Sequence, residues 1–509
     1  MAKGIAYGIA CLLLATWILP AWAAPSTTAA SATAAVVPPG SKKEKPPTKP
    51  TAGWSFSSTN TLRHEYWNTF QAVNSPLDPS YSLLADRLAL TLKHQNPATV
   101  FTATLNVVKF LNLPEDTSFG SASTYSTNGV RENDAKVYVR VMNFTFKRLG
   151  DKRLTATIGR FNFANGTEWK GSDPTVEWVK NNRIADRLLG QPNWTMLQRS
   201  MNGLVLKHDL PRFQLAASAW KPTAGTYSEQ AGDLINDIKV FTLAGTHKFD
   251  TALPRQEVQW FAYEYDDHRP IVAPRGDNAV TGAAQTPRRS TDGIDVRIRT
   301  YGVSAVGAYD CPTGRVDTMV WWAVQRGDWY ELTHRAHAVA LELGHQWTKA
   351  PWKPWLRAGL NQSSGDADPH DGTHGTFFLM LPSRKYSNCN AYNQSNLKDY
   401  LLQLSVKPSA RADLRFDYHR LRLTEGADRW YTGGGAMANT GPGNGFTARK
   451  TGGKTDLGSV FEFLGTYTLS KEHKVNLFVS RLRGGDAIDA SFGAKRDQTF
   501  SYLELVTDF

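Results

Sequence analysis

The feature that most constrains this chain is an alternation of apolar and polar residues that runs to its last segment. Gln498-Thr499-Phe500-Ser501-Tyr502-Leu503-Glu504-Leu505-Val506-Thr507-Asp508-Phe509 reads as a strand closed by an aromatic residue. A strand as final element, in a chain that opens with a secretory signal, predicts a closed barrel. In lipid the last strand has to pair with the first, because an open edge leaves backbone groups unsatisfied. The ending also resembles the signal read by the barrel-assembly machinery of Gram-negative bacteria.

The opening residues support export. Lys3 precedes an apolar run from Ile5 to Leu19, and Ala21-Trp22-Ala23 offers a small-x-small cleavage site, so 1–23 reads as a signal peptide. Beyond it no run reaches the roughly 18 apolar residues that a spanning helix needs. Residues 24–53 are almost all Ala, Thr, Ser, Pro and Lys, too poor in apolar groups to build a core, and are expected to be a disordered periplasmic tether. Of the formal net charge of +12, Lys3 contributes one and Lys42, Lys43, Lys45 and Lys49 against Glu44 contribute three, which leaves +8 on Trp54 to Phe509.

Within 54–509, alternating segments of about ten residues recur between clusters of Gly, Asn, Asp and Pro. Leu84, Leu88, Leu90 and Leu92 share one face, interrupted by Asp86, and Ala85, Arg87, Ala89, Thr91 and Lys93 share the other. Ile294, Val296 and Ile298 alternate with Asp295, Arg297 and Arg299. Val339, Leu341 and Leu343 alternate with Ala338, Ala340, Glu342 and Gly344. Leu356, Ala358 and Leu360 oppose Arg357, Gly359 and Asn361, and Leu414, Phe416 and Tyr418 oppose Arg415, Asp417 and His419. One face is apolar and the other polar, charged or very small, the pattern of an all-β transmembrane antiparallel barrel with lipid outside and water within. It also explains how a chain of only 41% hydrophobic residues suits a membrane. The 456 residues from Trp54, at a period near 25, give about 18 strands, with 16 as the other even count.

Some details stay open. The phase slips near Arg420, which places a bulge or strand end there, and Arg255 to Tyr265 is aromatic on both faces. Trp321, Trp322, Trp329, Tyr330, Trp347, Trp352 and Trp355 suit aromatic girdles, with core packing as the alternative. Cys311 and Cys389 are free to pair in an oxidising compartment or to stay apart. Asp366, Asp368 and Asp371 look like an oxygen-ligand loop. They lack calcium-loop spacing and the terminal Glu, which favours an Asp-rich turn.

The faces opposite the apolar ones carry Arg87, Lys93, Arg297, Arg299, Arg357 and Arg415, with Asp295, Glu342 and Asp417 among them. Basic groups in a lumen lower the barrier to anions. Ion-pair networks that brace the wall are the competing account of any single arginine. Catalysis has no support here. His337 and Glu342 fall on opposite faces of one strand, and neither a nucleophile elbow nor a phosphate loop is present.

Three stretches carry a family likeness. Ile158-Gly159-Arg160-Phe161 leads to Asn165-Gly166-Thr167-Glu168-Trp169. Asn193-Trp194-Thr195 is followed by Arg199-Ser200-Met201-Asn202-Gly203. Gly365-Asp366-Ala367-Asp368 precedes Thr376-Phe377-Phe378 and Leu381-Pro382-Ser383. This order resembles the alginate export family of outer-membrane porins, although Met201-Asn202 stands where the family has Phe-Asp. The resemblance implies a monomeric 18-stranded barrel that lets a polyuronate out through an arginine-rich constriction, with Arg160, Arg199 and Glu168 as further pore residues. The partners it implies are outer-membrane lipid, an anionic polysaccharide, the assembly machinery during biogenesis and periplasmic export components. No nucleic acid, cofactor or metal is expected. A small-solute porin and a surface-binding barrel without transport, contacting through 270–293 and 430–454, remain the alternatives.

Overall fold

The computed structural model describes residues 52–150, 153–249, 255–269, 295–383, 387–433, 435–439 and 448–509. The signal peptide, nearly all of the tether, all of 270–293, Ile294, and 434 and 440–447 within the second polar contact loop lie outside the described residues.

The strands are β1 Gly53–Asn68, β2 Ser80–Gln95, β3 Thr99–Leu111, β4 Ala135–Leu149, β5 Leu154–Phe161 and β6 Met201–Asp209. They continue as β7 Phe213–Pro222, β8 Ile238–Lys248, β9 Gln256–Asp267, β10 Val296–Cys311, β11 Gly314–Trp329 and β12 Leu332–Gln346. The last six are β13 Trp355–Ser363, β14 Leu397–Ser409, β15 Ala412–Leu423, β16 Asp456–Thr468, β17 His473–Gly484 and β18 Gln498–Asp508. Each pairs antiparallel with its chain neighbours. The sheet holds 19 strands, one of which is the two-residue loop piece Thr373–His374, so 18 form the wall. Closure is by β1 against β18, from Thr59 opposite Asp508 to Asn68 opposite Thr499. Phe509 donates its N–H to the Ser58 carbonyl at 2.8 Å and accepts from Ser58 N–H at 3.0 Å, so the last residue is stitched to the first strand.

One end of the barrel carries turns of two to eight residues and the other carries the long loops. The exception is Tyr330-Glu331, a two-residue turn joining β11 to β12 at the long-loop end, with Tyr330 at φ 54°. Among the described residues no helix is long and apolar enough to cross a membrane.

Except on β10, the apolar phases face outward, as the alternation predicts. Leu341 and Leu343 on β12, Phe416 on β15 and Tyr400 and Leu402 on β14 are exposed, and their sequence neighbours are buried in the wall's interior. Several expectations need correction. Trp321, Trp329, Tyr330 and Trp355 are buried inside, and only Trp322 and Trp352 of the supposed girdle set are exposed. The outward aromatics instead include Tyr66, Tyr301, Tyr309, Tyr400, Phe461 and Tyr467. Near Arg420 the expected irregularity is present, at the end of β15, although the inward–outward alternation itself runs on through it. Leu421 and Leu423 are buried inside beneath the loops, and the irregularity lies in the pairing to β16, between Leu421 and Arg422. On β9, Phe261, Tyr263 and Tyr265 point inward and Trp260 outward. Cys311 lies at the short-turn end and buried Cys389 in the loop after β13 at the opposite end, and neither is in a disulfide.

Much of the interior is filled. The loop between β5 and β6 carries α1 (Pro174–Val179), capped by Asp173, whose side chain accepts from Thr175 N–H, and continuing as a wide turn over Lys180–Ile184. Val176, Trp178, Ile184, Leu188 and Leu189 from this loop pack with Phe377–Leu381 from the loop after β13. They meet Phe261, Trp321, Ala336, Ala338, Ala340 and Trp355 of the wall in one apolar cluster. The inward alanines of β12 are small because loop side chains occupy the space beside them.

Candidate functional site

The lumen gathers arginines in two groups. The first surrounds residues 191–200, the end of the loop before β6. Arg63 on β1 holds Glu504 of β18 through Nε at 2.9 Å and Nη2 at 2.6 Å, and donates from Nη1 to the Trp194 carbonyl at 2.7 Å. Arg87 on β2 donates to the Thr195 carbonyl at 3.0 Å and to Thr61 Oγ1 at 3.3 Å. Arg140 on β4 reaches Gln191 and Gln198 at 3.2 Å each, and Ser200 Oγ. Arg199 donates to the Ala436 carbonyl, while its Nε and Nη1 find no acceptor. Arg87, Arg140 and Arg199 are 8%, 3% and 1% exposed. Among the described residues none of these three is held by a carboxylate. Burial pushes the Arg199 guanidinium down to about 10, helped by the nearby Arg269 cation. Buried cations without a counter-charge are costly.

The second group is compensated. Glu342 on β12 takes both its oxygens to Arg183 Nε at 2.8 Å, and Arg357 on β13 donates to it at 2.9 Å and also pairs with Asp317. Trp355 Nε1 donates to Asp317 at 2.8 Å. Arg187 spans Asn361 at 3.0 Å and Gln394 at 2.7 Å. Here charge clamps loop to wall, the bracing role set against pore lining in the sequence.

The predicted residues therefore divide. Arg87, Lys93, Arg357, Arg415, Glu342 and Asp417 do face inward, with Lys93 half-buried near the short-turn mouth. Arg297 and Arg299 do not. They are outward on β10 at the long-loop end, half exposed, and pair with Asp266 at 2.8 Å and Glu264 at 3.0 Å on the outer face of β9. Asp295 continues that outward phase and meets His268 at 2.5 Å on the exposed rim. The inner positions there are Val296 and Ile298, buried against loop and wall side chains. Arg160 shares the outward phase of exposed Ile158 and lies opposite exposed Met142. It folds onto the wall, donating to Asn202 at 2.8 Å and to the Val139 carbonyl at 2.7 Å. Arg199 and Glu168 are lumenal loop residues, with Glu168 accepting from Gln259 at 2.9 Å. Arg63, Arg140, Arg183 and Arg187 were missed. Arg63 and Arg140 alternate with apolar neighbours on their strands, a usable signal, whereas Arg183 and Arg187 sit on a loop that strand phase cannot address.

Asp366, Asp368 and Asp371 cap backbone N–H groups two residues onward, at 3.2, 3.1 and 2.7 Å, as an Asp-rich turn does.

A closed barrel with an apolar exterior, short turns at one end and charged loops inside is an outer-membrane channel of the porin type, in the outer membrane of a Gram-negative bacterium. The model of the family described as alginate export matches residues 56–501, and the chain belongs to that family. Solved porin structures share the fold. Pseudomonas aeruginosa OccK9 (OpdG) has a TM-score of 0.55 at 12% identity, over 89% of this chain and 98% of that one. Pseudomonas aeruginosa OccK2 (OpdF) in complex with glucuronate has a TM-score of 0.53 at 10% identity, over 90% and 96%. Acinetobacter baumannii OccAB4 has a TM-score of 0.52 at 10% identity, over 90% and 99%. No curated protein sequence matches.

Proposed function

We propose that this channel passively exports an anionic, alginate-like polysaccharide, with Arg87, Arg140 and Arg199 as its anion-attracting lining. The observation that carries this reading is that among the described residues these three buried guanidiniums have no carboxylate partner, while Arg63 in the same group pairs with Glu504 and the second group is neutralised by Glu342. Carboxylates spaced along a polyuronate would replace the missing counter-charge one sugar at a time. Contacts made mostly through carbonyls and amides leave the guanidiniums free to release each carboxylate to the next. The family membership supports the substrate class, and one solved barrel of the same fold was crystallised with glucuronate, a single uronate. The dense packing of loops against the wall favours a second reading, an anion-preferring porin for small solutes.

Single channels in planar bilayers test both. Export of a polymer predicts anion preference and transient block by oligouronates that lengthens with chain length. Block by the monomer alone, with no dependence on length, selects the small-solute porin. Cation preference overturns both.

A further inference from the structure

A second cluster lies in the wall away from these arginines. Asp417 and His419 alternate on the inner face of β15, and Glu462 of β16 stands directly opposite Asp417 in the ladder. This register brings one ligand atom from each within 4.8 Å of the others. The three residues are 4%, 0% and 5% exposed.

Each of the three also keeps a buried ligand atom without a hydrogen-bond partner. His419 Nδ1 faces Asp399 of β14, at 2.9 Å from Oδ1 and 3.1 Å from Oδ2. A carboxylate there holds the proton on Nδ1, and Nε2 then keeps its lone pair; Nε2 is buried without a partner. Glu462 Oε1 accepts from Ser387 at 2.8 Å, while Oε2 accepts nothing. Neither oxygen of Asp417 accepts a hydrogen bond, although Arg415 Nε lies 2.8 Å from Oδ2. Gln403 of β14, opposite Asp417 on its other side, is also buried, with its amide oxygen unpartnered.

We propose that Asp417 Oδ, His419 Nε2 and Glu462 Oε2 bind one divalent cation of borderline softness, zinc, with Gln403 Oε1, opposite Asp417 in the ladder, as the candidate fourth ligand. The charge count agrees. Asp399, Asp417 and Glu462 set three negative charges against Arg415, and a divalent ion brings the cluster to neutrality. Mixed imidazole and carboxylate donors suit a first-row metal better than calcium, which takes oxygen ligands. Asp399 is a positioning residue, and Ser387 and Tyr392, whose hydroxyl lies 3.4 Å from His419 Nδ1, tie the loop after β13 to the same spot. The ion would bind β15 to β16 and seat that loop against the wall.

The test uses the untagged mature chain, folded in detergent, stripped with EDTA and titrated with Zn2+ alone by calorimetry, with metal content per chain measured after desalting. One zinc per chain and a higher unfolding temperature are expected. His419→Gln should abolish uptake, whereas His337→Gln, on the outward face of β12, should leave it intact. Asp399→Asn should weaken binding by about 10–100-fold, as loss of an orienting carboxylate does. Co2+ in place of zinc should show visible bands that vanish in the same variants. If His419→Gln yields no folded barrel, Glu462→Gln, nearly unchanged in volume, is read instead. No zinc in the wild type, or uptake unchanged in both variants, overturns the site.

Discussion

The arginines of this barrel separate into those with a carboxylate and those without, and the distinction decides what each substitution does. Arg87 and Arg140 to glutamine should each lower the anion-to-cation permeability ratio. A unit charge about 4 Å from a permeating ion, even at a water-like dielectric, is worth about 1 kcal/mol, or roughly fivefold. Arg297 and Arg299 to glutamine should leave the ratio unchanged, since both lie on the outer face. Reversal potentials in a salt gradient read all four. The sequence showed that Arg297 and Arg299 share a face opposite Val296 and Ile298, and the structure agrees. It did not show which face is inner, because loops supply an apolar interior beside β10 and let Val296 and Ile298 be buried there. Strand phase tells two faces apart; only the filling of the lumen names them. Loop carboxylates are readable by pH. Burial, with Asp428 and Asp371 nearby, raises Asp366 to about 6, above its ordinary value of about 3.9. The folded loop thus holds a proton that the unfolded chain releases. Its stabilising contribution is complete below pH 4 and is lost as pH rises through 6. Asp366→Asn should remove that pH dependence from hydrogen exchange of the loop between β13 and β14.

At the scale of elements, wall and loop are matched by size and by charge. Ala336, Ala338 and Ala340 give up volume on β12 so that α1 and Phe377–Leu381 can dock. Ala340→Leu should overpack this contact at a cost of about 1–3 kcal/mol. It should also raise single-channel conductance, because the loop is what gives way. Glu342 is the charge counterpart. Glu342→Gln breaks its pairs with Arg183 and Arg357 inside the barrel, and should destabilise it by about 3–5 kcal/mol in urea unfolding from vesicles. The strands were legible because each repeats a two-residue period over its whole length. The lumenal loops were not, because α1 is six residues long and its apolar side chains follow the wall rather than a helical stripe. Its start was nonetheless written in Ser172-Asp173-Pro174, a cap followed by proline at the first helical position. The tryptophans misled for a related reason. Inside a filled barrel Trp355 finds mixed surroundings, apolar with its Nε1 on Asp317, and Trp321 lies under the Arg187 guanidinium, much as a membrane interface offers both apolar and polar contact.

For the whole molecule, the proposed anion preference would have two sources, and salt separates them. The +8 on Trp54 to Phe509 acts through solvent and is screened, since the Debye length shrinks from about 10 Å at 0.1 M to about 3 Å at 1 M. On the proposed reading the three uncompensated arginines act at short range from within the lining, where mobile ions cannot intervene. If net charge set selectivity, the preference would vanish as the salt on both sides rises tenfold at a fixed gradient. The lumenal geometry predicts a partial loss, with a residual preference that falls to what Arg199 alone supplies in an Arg87→Gln, Arg140→Gln double variant. The two substitutions should reinforce each other, because both side chains grip residues 191–200 and a loop released on one side shifts on the other. Complete loss of selectivity in the wild type at high salt would assign the preference to diffuse surface charge and remove the arginines from the mechanism.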